Sequence, residues 1–135
     1  MADKVAFELV SPEKLLLSRD VDFVVVPGAE GDFAVLPGHA PFLSSLRPGI
    51  IEIHEEGNET TGLFVAGGFA EATPERCTVL ANEAIPVADL DRSGIERRQS
   101  NAKEDLQAHP DDDAAKAELA TAEAMLAALD GWGKA

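Results

Sequence analysis

Every valine in this chain lies at or before Val87, and all six phenylalanines fall between Phe7 and Phe69. Beyond Ala88 the only β-branched residues are Ile95 and Thr121, while ten alanines stand between Ala102 and Ala128. Branched and aromatic side chains fit a pleated, half-buried surface, whereas alanine gives up no side-chain entropy in a helix. A chain divided this way cannot alternate strands with helices. It is β first and α second, which excludes a parallel sheet built from βαβ units.

The first part is punctuated into short apolar runs. Lys4–Val10 stops at Ser11-Pro12, Val21–Val26 at Pro27-Gly28, and Phe33–Leu36 at Pro37-Gly38. Ile50–His54 leads into Glu55-Glu56-Gly57-Asn58, a hairpin connection. Leu63–Ala66 meets Gly67-Gly68, Phe69–Ala72 meets Thr73-Pro74, and Cys77–Ala81 and Ile85–Val87 follow. Short strands at close spacing with Gly/Pro turns predict an antiparallel β-sandwich or barrel of about ten strands over residues 1–86. Residues 87–135 read as a two-helix hairpin. Asp89 and Asp91 suit a helix start, His109-Pro110 breaks that helix, Asp111-Asp112-Asp113 offer a second start and Gly131 a stop. Ala115, Leu119, Ala122, Leu126 and Leu129 repeat at the spacing of a narrow heptad seam, answered by Ile95, Ala102 and Leu106. Alanine buries little area, so the hairpin is expected to detach or fray before the β half, with protease cuts falling there first.

The net charge of −14 repels phosphate backbones and anionic lipid, which excludes nucleic acid as a natural partner. Nothing in the sequence approaches the ~20 apolar residues of a membrane span, so no direct membrane insertion is expected. The amino terminus lacks a basic start followed by an apolar run. The chain reads as soluble and cytoplasmic, from a bacterium or an already processed precursor. Cys77, alone, reads as a small apolar strand residue.

Catalysis needs convergent groups, and the sequence offers none. His39, His54 and His109 stand in three unlike contexts, and no two of them are spaced to share a metal, so no metal site is expected. There is no GxSxG, no phosphate-cradling Walker loop and no GxGxxG. The chain is expected to be non-catalytic and to carry no cofactor.

One stretch is far more specific than composition. The run PGAEGDFAVLPGHAPFL (Pro27 to Leu43) resembles the epsilon subunit of F-type ATP synthases. Leu9-Val10-Ser11-Pro12-Glu13, Leu46-Arg47-Pro48-Gly49-Ile50, Val65-Ala66-Gly67-Gly68-Phe69-Ala70-Glu71 and Thr78-Val79-Leu80-Ala81 match in order. The resemblance implies a central-stalk rotor subunit at the cytoplasmic face of a bacterial inner membrane. Its sandwich would dock on the gamma subunit and meet the membrane ring of c subunits, transmitting torque and coupling proton flow to ATP synthesis. It assigns Glu30, Gly31 and Asp32 to the ring contact, and His39 and Pro41 to the rigid corner on the gamma side.

The resemblance also raises a regulatory alternative, in which the C-terminal helices reach the alpha/beta catalytic head as an inhibitor or sense ATP. The segment Asp111–Asp130 carries one base, Lys116, against six acids, which suits an acidic partner poorly. The Leu/Ile-Asp-x-x-Arg-Ala motif of ATP-binding members begins at Leu90-Asp91 but has Gly94-Ile95 where Arg-Ala should stand. Glu83, Asp91 and Arg92 are the remaining candidates for a nucleotide contact. A reading from another class, a free-standing β-sandwich binding module, would need a pocket with convergent polar groups.

Overall fold

The first strand, β1 (Val5–Val10), alternates buried and half-buried residues along its whole length, so Val5, Phe7 and Leu9 face one core. A computed structural model describes residues 4–132 of the chain. After β1 come β2 (Leu15–Val21), β3 (Phe23–Gly28), β4 (Gly31–Val35), β5 (Phe42–Ser45), β6 (Gly49–His54), β7 (Thr61–Ala72) and β8 (Arg76–Pro86). A 3-10 turn at Val87–Asp89 leads to helices α1 (Arg92–Ala108) and α2 (Asp113–Gly131).

The strands hydrogen-bond in the order β2-β1-β8-β7-β6-β3-β4, with β5 on the second half of β7. Val5, Phe7 and Leu9 from one end of that order share a single core with Val24, Val26 and Val35 from the other. The two ends can meet only if the sheet folds over on itself, and that gives the expected sandwich.

Several details differ from the sequence reading. There are eight strands among the described residues, not about ten. The runs 63–66 and 69–72 are one strand, and β8 likewise runs unbroken from Arg76 to Pro86. The glycine pair bends the strand without ending it. Gly68 has φ +103°, and a Cβ there would lie 1.8 Å from the Leu80 carbonyl oxygen. Before the bend β7 pairs with β6 (Ile51 opposite Leu63), and after it with β5 (Ser45 opposite Phe69). The pair is thus the corner at which β7 changes layers. The third difference is β1 against β8, which is parallel while every other pairing is antiparallel. A parallel pair needs a long crossover, and here everything from β2 to β7 supplies it.

β7 is buried on both faces where helices cover it. Leu63 and Val65 point into the sandwich core, and Phe64 and Ala66 into a second cluster with Ile95 of α1 and Ala122, Met125 and Ala128 of α2. The hairpin therefore lies on the outer face of the sheet. Asp91 caps α1 by accepting from the Gly94 amide at 3.2 Å, and Asp112 caps α2 through the Ala115 amide at 3.1 Å. The turn between them is closed by the Asp112 amide on the His109 carbonyl at 3.0 Å. The seam is broader than heptad spacing suggests: Thr121, Met125 and Ala128 are buried beside Ala115 and Ala122, and Leu119, Leu126 and Leu129 only partly so. One helix packs on two neighbours at once, α1 and the sheet, and needs a wider stripe than a pairwise coiled coil.

Candidate functional site

The turn between β3 and β4 presents Ala29, Glu30, Gly31 and Asp32 to solvent. Gly31 takes φ +142°, a value that favours glycine at a tight reversal. Glu30 has no side-chain partner among the described residues, whereas Asp32 pairs with Arg47. Arg47 also donates to the Gly28 carbonyl at 2.6 Å, and the Arg47 amide to the Pro27 carbonyl at 3.0 Å. The acidic turn is thus splayed from behind by a base that neutralises one of its two carboxylates. Sequence reasoning missed Arg47, although its place just before Pro48-Gly49 marked a connection.

The corner containing His39 and Pro41 sits at the other end of β4, so the five residues of that strand, about 17 Å, separate it from the acidic turn. The His39 amide donates to the Leu36 carbonyl at 3.1 Å and the Gly38 amide to the Pro74 carbonyl at 2.7 Å. His39 Nδ1 contacts the Ala40 carbonyl and its ring meets the edge of Phe42. These bonds hold a fixed bend, and among the described residues no acid or nucleophile bonds to the imidazole. The neighbouring strands carry an apolar surface. Leu43 and Phe69 lie on the outer face of the β5–β7 pair, 65% and 49% exposed, with Leu36 and Phe42 close by at 49% and 45%.

Glu83, Asp91 and Arg92 are not brought together. Each has a structural partner: Asp91 caps α1, Arg92 pairs with Asp130, and Glu83 binds Arg98. The outstanding polar group of the chain is Arg98, which sequence reasoning passed over. Its guanidinium takes Glu83 of β8 with Nη1 and Nη2 at 2.8 and 3.1 Å. It takes Glu118 of α2 with Nε and Nη2 at 3.0 and 2.8 Å. Hydrogen bonds to Glu118, then Glu83, raise the Arg98 pKa further above its ordinary value, and Arg98 holds the Glu118 carboxyl below the usual carboxylate range. The signal was present in the sequence. Arg98 stands three residues after Ile95 and four before Ala102, and Glu118 stands three after Ala115 and four before Ala122. Charges on a seam need partners.

Cys77 is fully buried in β8, and burial pushes its thiol up to about 12. No cluster of His, Cys, Asp or Glu suited to a metal occurs among the described residues, and no helix there is long and apolar enough to cross a membrane.

Residues 4–87 match the family model described as "ATP synthase, Delta/Epsilon chain, beta-sandwich domain". The chain belongs to the ATP synthase delta/epsilon family. It is 55% identical over 132 residues to the ATP synthase epsilon chain of Paramagnetospirillum magneticum, covering 96% of this chain and 99% of that one. It is 53% identical over 130 residues to the corresponding chain of Maricaulis maris, covering 94% and 97%. Among solved structures, a chain from the Euglena gracilis mitochondrial ATP synthase (OSCP/F1/c-ring in rotational state 1) superposes with a TM-score of 0.80 at 25% identity, covering 93% of this chain and 81% of that one. A chain from the central stalk and c-ring of the Tetrahymena thermophila mitochondrial enzyme shares the fold, with a TM-score of 0.60 at 17% identity.

Proposed function

We propose that this chain is the central-stalk rotor subunit of a proton-translocating F-type ATP synthase, at the cytoplasmic face of a bacterial inner membrane. It joins gamma to the membrane c-ring, couples proton flow to ATP synthesis and contributes no catalytic group. The observation that carries this is the near-full-length identity to bacterial epsilon chains, helices included. The surface supports it. Exposed Leu43 and Phe69 beside the His39–Pro41 corner form the kind of apolar patch that marks a protein interface, assigned here to gamma. Glu30 projects free of any partner among the described residues at the turn assigned to the ring.

The nucleotide-sensing alternative draws no support from this arrangement, since Glu83, Asp91 and Arg92 are each engaged within the fold.

The test is reconstitution of the complex with Glu30→Lys, which leaves the Asp32–Arg47 pair in place. Reduced ATP-driven proton pumping with normal co-purification of gamma is expected. Unchanged pumping would sink the ring assignment. Failure of the wild-type chain to co-purify with gamma would sink the stalk assignment itself.

A further inference from the structure

The hairpin touches the sheet mainly through alanine, methionine and isoleucine, a non-directional surface along which helices could slide. Two contacts of a different kind stand at separate points along it. The first is Arg98, whose fork reaches one carboxylate on the sheet and one on α2, with Met125 Sδ 3.6 Å from Nη1. The second is Trp132, directly after α2. Its ring fills the space over Gly62 of β7, where a Cβ would lie 2.6 Å from Cε2 and 2.7 Å from Cζ2. Glu118 and Trp132 are about 21 Å apart along the helix axis at ~1.5 Å per residue. The sheet ends of the two contacts are separated as well. Glu83 pairs across from Ala66, four residues along β7 from Gly62, which is about 13 Å of strand.

We propose that the Arg98 fork and the Trp132–Gly62 notch form a two-point latch that fixes the hairpin's seat on the sandwich. One point fixes only position, whereas two separated points also fix the helix axis. The two points answer differently to salt. The fork is charge-assisted and its three side chains are about a third exposed, so salt screens it. The notch is an aromatic ring on backbone, which salt does not weaken. Residues Phe64, Ile95 and Met125 belong to the apolar cluster between hairpin and sheet, which is not directional and fixes neither point by itself.

Trp132 is the single tryptophan and the chain has no tyrosine, so its fluorescence reports the notch alone. Gly62 does not occupy the left-handed region, so alanine suits its backbone and only displaces the ring. The experiment combines Trp132 emission with amide hydrogen exchange on the full chain, in Gly62→Ala, Arg98→Met and the double variant. Gly62→Ala is expected to red-shift Trp132. Arg98→Met is expected to leave the emission in place and speed exchange in the first half of α2 by about tenfold, a local opening within the native fold. The double variant should speed exchange across both helices by about a hundredfold or more, with β1, β3 and β8 changed less than about threefold. Unaltered α2 protection in the double variant overturns the latch, and so does acceleration of sheet and helices in step. Should a variant not fold, the wild-type chain serves. Raising salt from about 0.05 to about 1 M should speed exchange around Glu118 with Trp132 emission constant, and uniform behaviour of the two points overturns the proposal.

Discussion

The sandwich core is made of Phe7, Leu9, Val24, Val26, Ile51 and Val65, none more than 2% exposed, and the hairpin buries mostly Ala102, Ala115, Ala122 and Ala128. The sandwich removes large side chains from water between its folded-over layers, and each contributes through area and packing. The hairpin removes little area per residue, and its seat includes an arginine that takes two carboxylates at once. Two regions of one small chain thus hold together by different physics. Temperature and cavity-forming substitutions threaten the first, while salt and acid threaten the second.

The largest effect expected from this contrast comes from Phe7→Ala, which should cost about 3–5 kcal/mol through lost transfer energy and an unfilled cavity. Urea unfolding followed by circular dichroism would measure it, and a cost below that of any hairpin alanine would break the comparison. Gly68→Ala should follow at about 3 kcal/mol, because a side chain is strained at that φ and the Leu80 carbonyl occupies its space. In the hairpin, Ala122→Gly should cost about 1 kcal/mol, mainly helix propensity, and a much larger loss in the same urea assay would mean that its methyl group is a packing element.

Acid should separate the regions without mutation. Arg98 lowers the Glu118 pKa below 4.5. A lowered folded-state pKa contributes stability that is present above the unfolded value and lost as pH falls through the folded one. The hairpin is therefore fully seated at neutral pH and loosens below 4.5. Lys4 lowers Asp22 in the same sense, but that pair lies at the surface of the sandwich, so the apolar core should outlast the seat. Hydrogen exchange on lowering the pH should show α2 amides released before those of β1 and β3, and the reverse order would refute this. The smallest effect belongs to Arg92→Ala. It removes an exposed pair with Asp130 and should change stability by less than about 0.5 kcal/mol in the urea assay.

The division into β and α halves, the Gly57 turn, the helix break at His109-Pro110 and the stop at Gly131 were all legible, because each rests on local residue chemistry. What escaped reading depends on residues far apart in sequence. Gly67-Gly68 looks like an ending, since glycine in a strand gives no local sign of what lies across it, and here Leu80 does. The strand Leu15–Val21 meets β3 with only Asp22 between, so no punctuation separates β2 from β3. The parallel pairing of β1 with β8 joins the first and last strands, and no local pattern encodes it. The acidic turn and the Pro-Gly-His corner were readable as motifs, but their placement at opposite ends of β4 was not.

β7 is also suited to bear force. Its twelve residues are bonded to β8 along most of their length, to β6 at one end and to β5 at the other, with the hairpin seated near the first end and exposed Leu43 and Phe69 near the second. A force entering at one end and leaving at the other runs parallel to the strand. It loads the flanking hydrogen bonds in shear, so they must yield together instead of unzipping one by one. The bend at Gly67-Gly68 carries that load around the corner of the sandwich, and the pairing with β8 keeps one register on both sides of it, Ala66 opposite Glu83 before and Gly68 opposite Ala81 after.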